Sequence, residues 1–278
     1  MSAPDRYAVL GHPVEHSRSP AIHAAFARQT GEAIRYDRVL VPLDGFADAV
    51  RAFAAGGGRG CNVTVPFKFE ACAVAARLTP RAALARAANV LCLDDEADGG
   101  WLADNTDGIG LLRDIQAGAG VPVAGQRVLL IGAGGAAAGV LGPLIEARPA
   151  RLQVVNRSPA RARALVAQHA AWAEQHGVVL AAGALDQADA DHGIVLNASA
   201  SSLQSAAVPV SPRVLARGAL ALDLMYGPAA EPFLAWARAA GATARDGLGM
   251  LVEQAAEAFF VWRGLRPQAA PVLEALRK

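Results

Sequence analysis

Residues 127–157 constrain the fold more than any other stretch of this sequence. An apolar run, Val128-Leu129-Leu130-Ile131, leads straight into Gly132-Ala133-Gly134-Gly135-Ala136-Ala137. A segment of small and apolar residues follows up to Arg148, and a second apolar run, Leu152-Gln153-Val154-Val155, ends in Asn156-Arg157-Ser158. The pattern predicts strand, tight turn, helix and strand. Within it, Gly132, Gly134 and Ala137 make G-x-G-x-x-A, a dinucleotide fingerprint. Gly132 permits a sharp turn off the strand, Gly134 lets backbone approach a pyrophosphate, and Ala137 lets the helix pack close to the sheet. The helix start at Ala133, Gly134, Gly135 and Ala136 directs unpaired N–H groups and a positive dipole end at phosphate. The competing reading is a glycine-rich turn in an unrelated α/β domain. A membrane span is rejected. Residues 128–145 carry no charge, but five glycines and Pro143 interrupt the run, and a span needs ~20 mostly apolar residues.

The end of the second strand carries the cofactor choice. NAD-binding versions place a carboxylate ~20 residues past the glycines, on the ribose 2′-hydroxyl. Here Asn156 and Arg157 occupy that place, followed by Ser158 and, one helical turn on, Arg161. A carboxylate would repel a 2′-phosphate and a guanidinium fork binds it, so NADP is expected over NAD. Arg157 and Arg161 could also be no more than a solvated helix start.

A chain of 278 residues, 53% of them apolar, can fill two cores. A net charge of +1 gives no basic excess for a nucleic-acid or membrane partner. Cys61, Cys72 and Cys92 match no metal-ligand spacing, so no metal is expected, and their odd number suits a reduced cytoplasm. The first residues lack the apolar core of a signal peptide. A monomer or homodimer acting on a small molecule is expected.

Ahead of the glycine turn, a strand over 7–10 runs into Gly11-His12-Pro13-Val14-Glu15-His16-Ser17-Arg18-Ser19-Pro20. Ser19-Pro20 predicts a helix start with Ser19 as N-cap, and Gly31 stops that helix. Ser17 and Ser19, beside a helix N-terminus, also suit a carboxylate ligand. A strand over 36–41 and a helix capped by Asp44 follow. In Gly60-Cys61-Asn62-Val63-Thr64-Val65-Pro66-Phe67-Lys68, Asn62 and Thr64 share one strand face. Lys68 falls at a helix start, where the dipole disfavours a cation; it is either a surface lysine or a residue held there for a purpose. Thr79-Pro80 starts a helix ending near Ala88, and an acidic turn over 94–100 predicts a hairpin. Asp104-Asn105-Thr106-Asp107 opens another helix, with Thr106 and Asp107 readable as caps. After residue 157, strand and helix alternate to Thr243, and Asn197 and residues 223–227 fall at strand ends, where open α/β sheets bind ligands. From Leu248 an apolar stripe at helical spacing predicts a C-terminal helix returning to the first domain. Glu253 and Glu257 fall on its wet side and Gln254 at its boundary, and His23, His169, His176 and His192 read as structural or surface residues.

Taken in order, these segments resemble the NADP-dependent shikimate dehydrogenase family. His16-Ser17-Arg18-Ser19-Pro20, Asn62-Val63-Thr64-Val65-Pro66-Phe67-Lys68, Asn89, Asn105-Thr106-Asp107-Gly108, the glycine turn with Asn156-Arg157-Ser158, Asp223-Leu224-Met225-Tyr226-Gly227-Pro228 and Asp246-Gly247-Leu248-Gly249-Met250 are collinear with its motifs. The resemblance implies two α/β domains. A substrate domain takes residues 1–107 plus 247–278, and a Rossmann-type NADP-binding domain takes 108–246.

It also implies carboxylate contacts from Ser17 and Ser19, with Thr64, Asn89, Tyr226 and Gln254 binding substrate and Lys68 and Asp107 catalytic. The cofactor contacts it implies are Gly132, Ala133, Gly134, Gly135, Ala136, Asn156, Arg157, Ser158, Arg161, Met225 and Gly249. The implied reaction is reversible NADPH-linked reduction of 3-dehydroshikimate to shikimate, in chorismate and aromatic amino acid biosynthesis. Departures are His12 for Asn, Val90 for Thr, Ala103 for Gly, and the loop Asn197-Ala198-Ser199-Ala200-Ser201-Ser202. Two other readings stay open: a quinate/shikimate dehydrogenase of broader specificity, and a non-catalytic NADP-binding regulator.

Overall fold

The structure is a computed structural model that describes residues 3–93, 100–199 and 208–278. The acidic turn over 94–99 and residues 200–202 of the loop after Asn197 lie outside the described residues. The chain divides into two compact units, one of Met1–Gly110 with Val252–Lys278 and one of Leu111–Leu251.

The first unit opens with β1 (Asp5–Gly11), α1 (Ser19–Thr30), β2 (Ile34–Leu40), α2 (Phe46–Ala55), β3 (Gly58–Val63) and α3 (Lys68–Val74). It continues through β4 (Arg77–Leu78), α4 (Pro80–Ala85), β5 (Val90–Cys92) and β6 (Leu102–Asp104) into α5 (Asp107–Arg113). These strands form one six-stranded mixed sheet in the order β2-β1-β3-β5-β6-β4. β1 pairs in parallel with β2 and β3, while β5 runs antiparallel to both β3 and β6.

Alternation along β1 sorts the core. Ala8 and Leu10 join Val50, Phe53, Val63, Phe67 and Leu91 in one buried cluster, where the Phe46 and Phe67 rings stack with centroids 5.0 Å apart. Tyr7, on the opposite face, packs its ring 4.7 Å from that of Trp262. On that face α1 meets α9 (Leu248–Arg263), with the Phe26 and Phe259 rings edge to face at 6.0 Å. A last helix, α10 (Ala269–Arg277), closes the unit.

The second unit holds β7 (Arg127–Ile131), α6 (Gly135–Glu146), β8 (Arg151–Val155), α7 (Pro159–Gln175), β9 (Val179–Gly183), β10 (His192–Asn197), β11 (Leu215–Asp223), α8 (Glu231–Ala239) and β12 (Thr243–Arg245). Its six strands are ordered β12-β11-β10-β7-β8-β9, and every pairing is parallel. Successive crossovers from β7 run outward to one edge, and those from β10 to the other, so the order reverses between β7 and β10. That reversal marks the ligand crevice of a doubly wound sheet.

Local differences from the sequence expectation have physical reasons. Ser19 is the first residue of α1 and does not cap it; Arg18 holds the N-cap place, and the Ser19 hydroxyl accepts instead from the Ser17 hydroxyl at 3.2 Å. Gly45, not Asp44, precedes α2. Thr79 does cap α4, accepting from the Ala82 amide, but that helix stops at Ala85, where Arg86 adopts a left-handed conformation at φ 49°. Glu257 is buried rather than wet, because it accepts from Arg81 and Arg266.

His23 is fully buried and stacks on Tyr36, ring centroids 4.2 Å apart. Burial pushes its imidazole down to about 3, with Asn62 opposing the shift, and burial also lowers His169 and His192. The ordinary value for His23 is 6.5, so between about 6.5 and about 3 the unfolded chain binds a proton that the folded chain refuses. Stability therefore falls as pH falls through that window. Melting temperature should decline on acidification below about 6.5, and His23→Phe should reduce the pH slope of unfolding free energy by up to about one proton. An unchanged slope in that variant would remove His23 from the account.

Candidate functional site

The strand directions of the first sheet gather polar residues at one end. Register pairs Asn62 with Val90, and Val90 with Asp104. The exit of β3, the entry of β5 and the exit of β6 therefore lie side by side. β1 runs parallel to β3 and β4 parallel to β6, so the residues after Gly11 and those at Thr79 join them. Ser17, Ser19, Thr64, Lys68, Asn89, Thr106 and Asp107 all leave the sheet at this end.

Lys68 is the first residue of α3, where its charge opposes the helix dipole. Asp107 compensates: Lys68 Nζ donates to Asp107 Oδ2 at 2.6 Å, with the side chains 14% and 5% exposed. The other carboxylate oxygen of Asp107 accepts from Asn89 Nδ2 at 2.9 Å, so Asp107 serves an ion pair and is no simple cap. Asn89 is the hub of the cluster. The two N–H bonds of its amide nitrogen are shared among Asp107 Oδ1, Gln254 Oε1 at 2.9 Å and Thr106 Oγ1 at 3.0 Å. Its amide oxygen accepts from the Thr106 backbone N–H at 2.8 Å. The Asp107 N–H donates to Asn105 Oδ1 at 3.1 Å, and Asn105 Nδ2 to the Ala87 carbonyl at 2.7 Å. These groups are buried, and a buried polar group left unpaired costs about 1–3 kcal/mol. The partners therefore hold one another in a single arrangement.

The polar chain extends toward the serines. Asn62 Nδ2 donates to the Asn89 carbonyl at 3.1 Å, and the Tyr36 hydroxyl donates to Asn62 Oδ1 at 2.6 Å. Arg38 donates to the Ser17 carbonyl through both Nε and Nη2, fixing the loop that carries the serines. Thr64 stands beside Gly11, where an added Cβ would lie 2.3 Å from Thr64 Cγ2.

In the second unit, Gly132 has φ 116°, and a Cβ there would meet the Ala198 carbonyl and the Ser199 N–H at 2.9–3.0 Å. Gly134 is different: a Cβ there would meet nothing within 4 Å. Asn156 holds the turn after β8 through Nδ2 to the Ser158 carbonyl at 3.0 Å. Ser158 precedes α7 without a side-chain capping bond, and Arg157 and Arg161 are exposed. Arg157 also lines a cavity of about 520 Å³ with Leu185, Asp186, Val210 and Arg213. Asn197 Nδ2 donates to Asp223 Oδ2 at 2.9 Å, and Asp223 Oδ1 accepts from the Met225 N–H at 2.8 Å. The Gly247 N–H donates to the Met225 carbonyl at 2.8 Å. Tyr226, half-buried, follows Met225 in the same segment.

Sequence reasoning misses four contacts. Tyr36 on Asn62 and Arg81 on Asp104 carry no motif. Neither does the Arg245–Asp114 ion pair, although the π-helical turn Asp114–Gly118 that holds it is a form frequent at functional sites. The fourth is the clasp of Glu257 by Arg81 and Arg266, whose one sequence signal is a pair of arginines without assigned partners. Among the described residues, no group of three or more His, Cys, Asp or Glu could hold a metal, and no helix is long and apolar enough to cross a membrane.

A fully parallel sheet with a glycine turn at its switch point, joined to a second α/β unit bearing a lysine–carboxylate cluster, defines a two-unit dinucleotide-dependent oxidoreductase class. The chain belongs to the shikimate dehydrogenase family. The family's substrate binding domain matches residues 9–91, its shikimate / quinate 5-dehydrogenase profile residues 116–205, and its C-terminal domain residues 247–277. A shikimate dehydrogenase (NADP(+)) of Methylibium petroleiphilum is 64% identical over 282 residues, covering 99% of this chain and 95% of that one. The corresponding protein of Acidovorax sp. strain JS42 is 60% identical over 276 residues, covering 99% and 97%. The crystal structure of shikimate 5-dehydrogenase from Thermus thermophilus in complex with NADP(H) and shikimate is 34% identical. It superposes at a TM-score of 0.82 over 98% of each chain.

Two glycines differ in the room around them. At Gly249 an added Cβ would lie 1.9 Å from Asp114 Oδ1. Gly249→Ala should cost about 1–3 kcal/mol in urea unfolding, whereas Gly134→Ala should stay within about 0.5 kcal/mol. Equal losses in the two variants would contradict this division.

Proposed function

We propose that the protein catalyses the reversible NADPH-linked reduction of 3-dehydroshikimate to shikimate, as a step of aromatic amino acid biosynthesis. The 2.6 Å pair of Lys68 and Asp107 is the observation that carries this reading. Carbonyl reduction needs a hydride on carbon and a proton on oxygen. NADPH supplies the hydride when bound. Lys68, an ammonium with N–H bonds beyond the one given to Asp107, is the donor for the oxygen, and Asp107 orients it. In the reverse direction the same lysine receives the hydroxyl proton. General acid–base help of this kind is worth about 10²–10⁴-fold. Ser17 and Ser19 bind the substrate carboxylate, and Thr64, Asn89 and Gln254 bind its hydroxyls.

The second unit's residues suit the phosphorylated cofactor. The space at Gly134 admits a pyrophosphate to the backbone of Ala133, Gly135 and Ala136. Asn156 places no carboxylate against a 2′-phosphate, and the exposed guanidiniums of Arg157 and Arg161 with the Ser158 hydroxyl are donors for one. Met225 and Gly249 complete the cofactor contacts. The quinate reading keeps one specific support, the shikimate / quinate 5-dehydrogenase description of the profile matching residues 116–205.

Nicotinamide reduction with shikimate or quinate, crossed with NADP or NAD, tests the reading. Turnover should be fastest with shikimate and NADP; silence in all four combinations would favour a non-catalytic regulator. Lys68→Ala should lower kcat by about 10²–10⁴-fold with a smaller change in the KM for shikimate. A near-native kcat in that variant would sink the proton-donor role. Arg157→Asp should move preference toward NAD, and an unchanged cofactor ratio would remove the phosphate clamp.

A further inference from the structure

Behind the Lys68–Asp107 cluster lies a second layer of charge that the proposed reaction does not use. Arg81, in the first turn of α4, grips Asp104 with both ends of its fork, Nε to Oδ1 at 2.6 Å and Nη2 to Oδ2 at 2.5 Å. Thr79, the cap of the same helix, donates to Asp104 Oδ1 at 2.5 Å, and the Asn105 backbone N–H donates to that oxygen at 2.7 Å. Arg81 Nη1 reaches Glu257 Oε1 at 3.3 Å. Glu257 Oε2 is held in turn by Arg266, which also donates to Glu253 at 3.0 Å. Asp104 and Glu257 are both buried.

The placement of this network gives it a purpose. Asp104 ends β6 and is three residues before Asp107, and the intervening Asn105 and Thr106 both bond within the catalytic cluster. Glu253 and Glu257 flank Gln254 on α9, and Gln254 bonds Asn89. Arg81 is thus tied both to the segment that presents Asp107 and to the helix that presents Gln254. A bidentate guanidinium fixes direction as well as distance, which a point charge does not. Burial by itself would raise Asp104, but the Arg81 fork and the Thr79 hydroxyl overcome it and leave the carboxyl below its ordinary value. The pair therefore stays charged across the neutral range.

We infer that Arg81 is a positioning residue for catalysis, holding Asp107 and Gln254 in register through Asp104 and Glu257. The inference rests on the proposed roles of Lys68 and Asp107 for its effect on rate, but its geometric content stands apart from them. Arg81→Gln should lower kcat by up to ~10²-fold, the cost of a small misplacement of a reacting group, while the KM for NADP, bound by the other unit, stays within about twofold. Arg81→Lys should recover part of kcat, because it restores charge without the fork.

Hydrogen exchange supplies the readout that is independent of the chemistry. The Thr106 and Asp107 amides should lose protection in Arg81→Gln while the amides of β1 and β3 keep theirs. Protection unchanged at those two amides in a folded Arg81→Gln protein would overturn the inference. So would a uniform loss across the unit with no kcat–KM split, which marks a merely structural residue. If Arg81→Gln does not fold, Glu257→Gln, which weakens the 3.3 Å arm, should lower protection at residue 254 and lower kcat to a smaller degree; no change in either would also overturn it. Lys68→Ala in the same assays keeps the two readings apart. A normal rate there refutes the acid–base pair and leaves the exchange result for Arg81 intact.

Discussion

The ammonium of Lys68 stands where helix electrostatics disfavour it, and its bond to Asp107 is the interaction on which the first unit's site depends. Asp107 can accept that bond in a fixed direction because Asn89 holds its second oxygen. Asn89 in turn is held by Thr106 and Gln254, from two different elements. A carboxylate with both oxygens committed cannot rotate, so the lysine has one place to be. The arrangement resembles a keystone more than a bond inventory: Asn89 bonds Thr106, Asp107 and Gln254 at once, so its removal would leave buried polar groups short of a partner, and the low dielectric of a buried site makes that shortage expensive.

The second unit solves a different problem with fewer polar contacts. Its sheet is held by apolar residues such as Leu129, Ile131, Val155, Val195 and Phe233. The reversal of strand order between β7 and β10 leaves Gly132 against Ala198 and Asn197 beside Asp223. Glycine is required at 132 because a side chain would strike the neighbouring strand's exit, whereas at 134 the chain itself leaves room for a side chain, and only the proposed cofactor would need that space. Two residues apart, the same amino acid meets a tight contact and open space.

Much of this is legible in the sequence. The parallel sheet follows from alternating apolar runs and the glycine turn, since those patterns are local. Lys68 draws notice for sitting against a dipole, and Asp107 for opening a helix, yet spacing alone leaves both as ordinary residues; their pairing across 39 positions is a tertiary fact. Ser19 shows the opposite failure. Ser-Pro is a good local start signal, but the serine's hydroxyl turns to Ser17, and the helix begins without its help. Glu257 escapes because helical periodicity reports apolar neighbours and is silent about a half-buried arginine waiting on another helix. Thr79 does not escape, because its cap chemistry is satisfied within one turn.

The cysteines carry a practical consequence of the way the first sheet is filled. Cys61 and Cys92 lie in the strands β3 and β5, buried beneath their neighbours, and burial pushes the Cys61 thiol far up. Cys72, half-buried on α3, is pushed up to about 11 by the same cause. Since the thiolate is the reactive species, electrophiles find little to attack at neutral pH. A cysteine introduced on an exposed surface would therefore be the preferred point for a fluorophore or spin label, with the native thiols left in place.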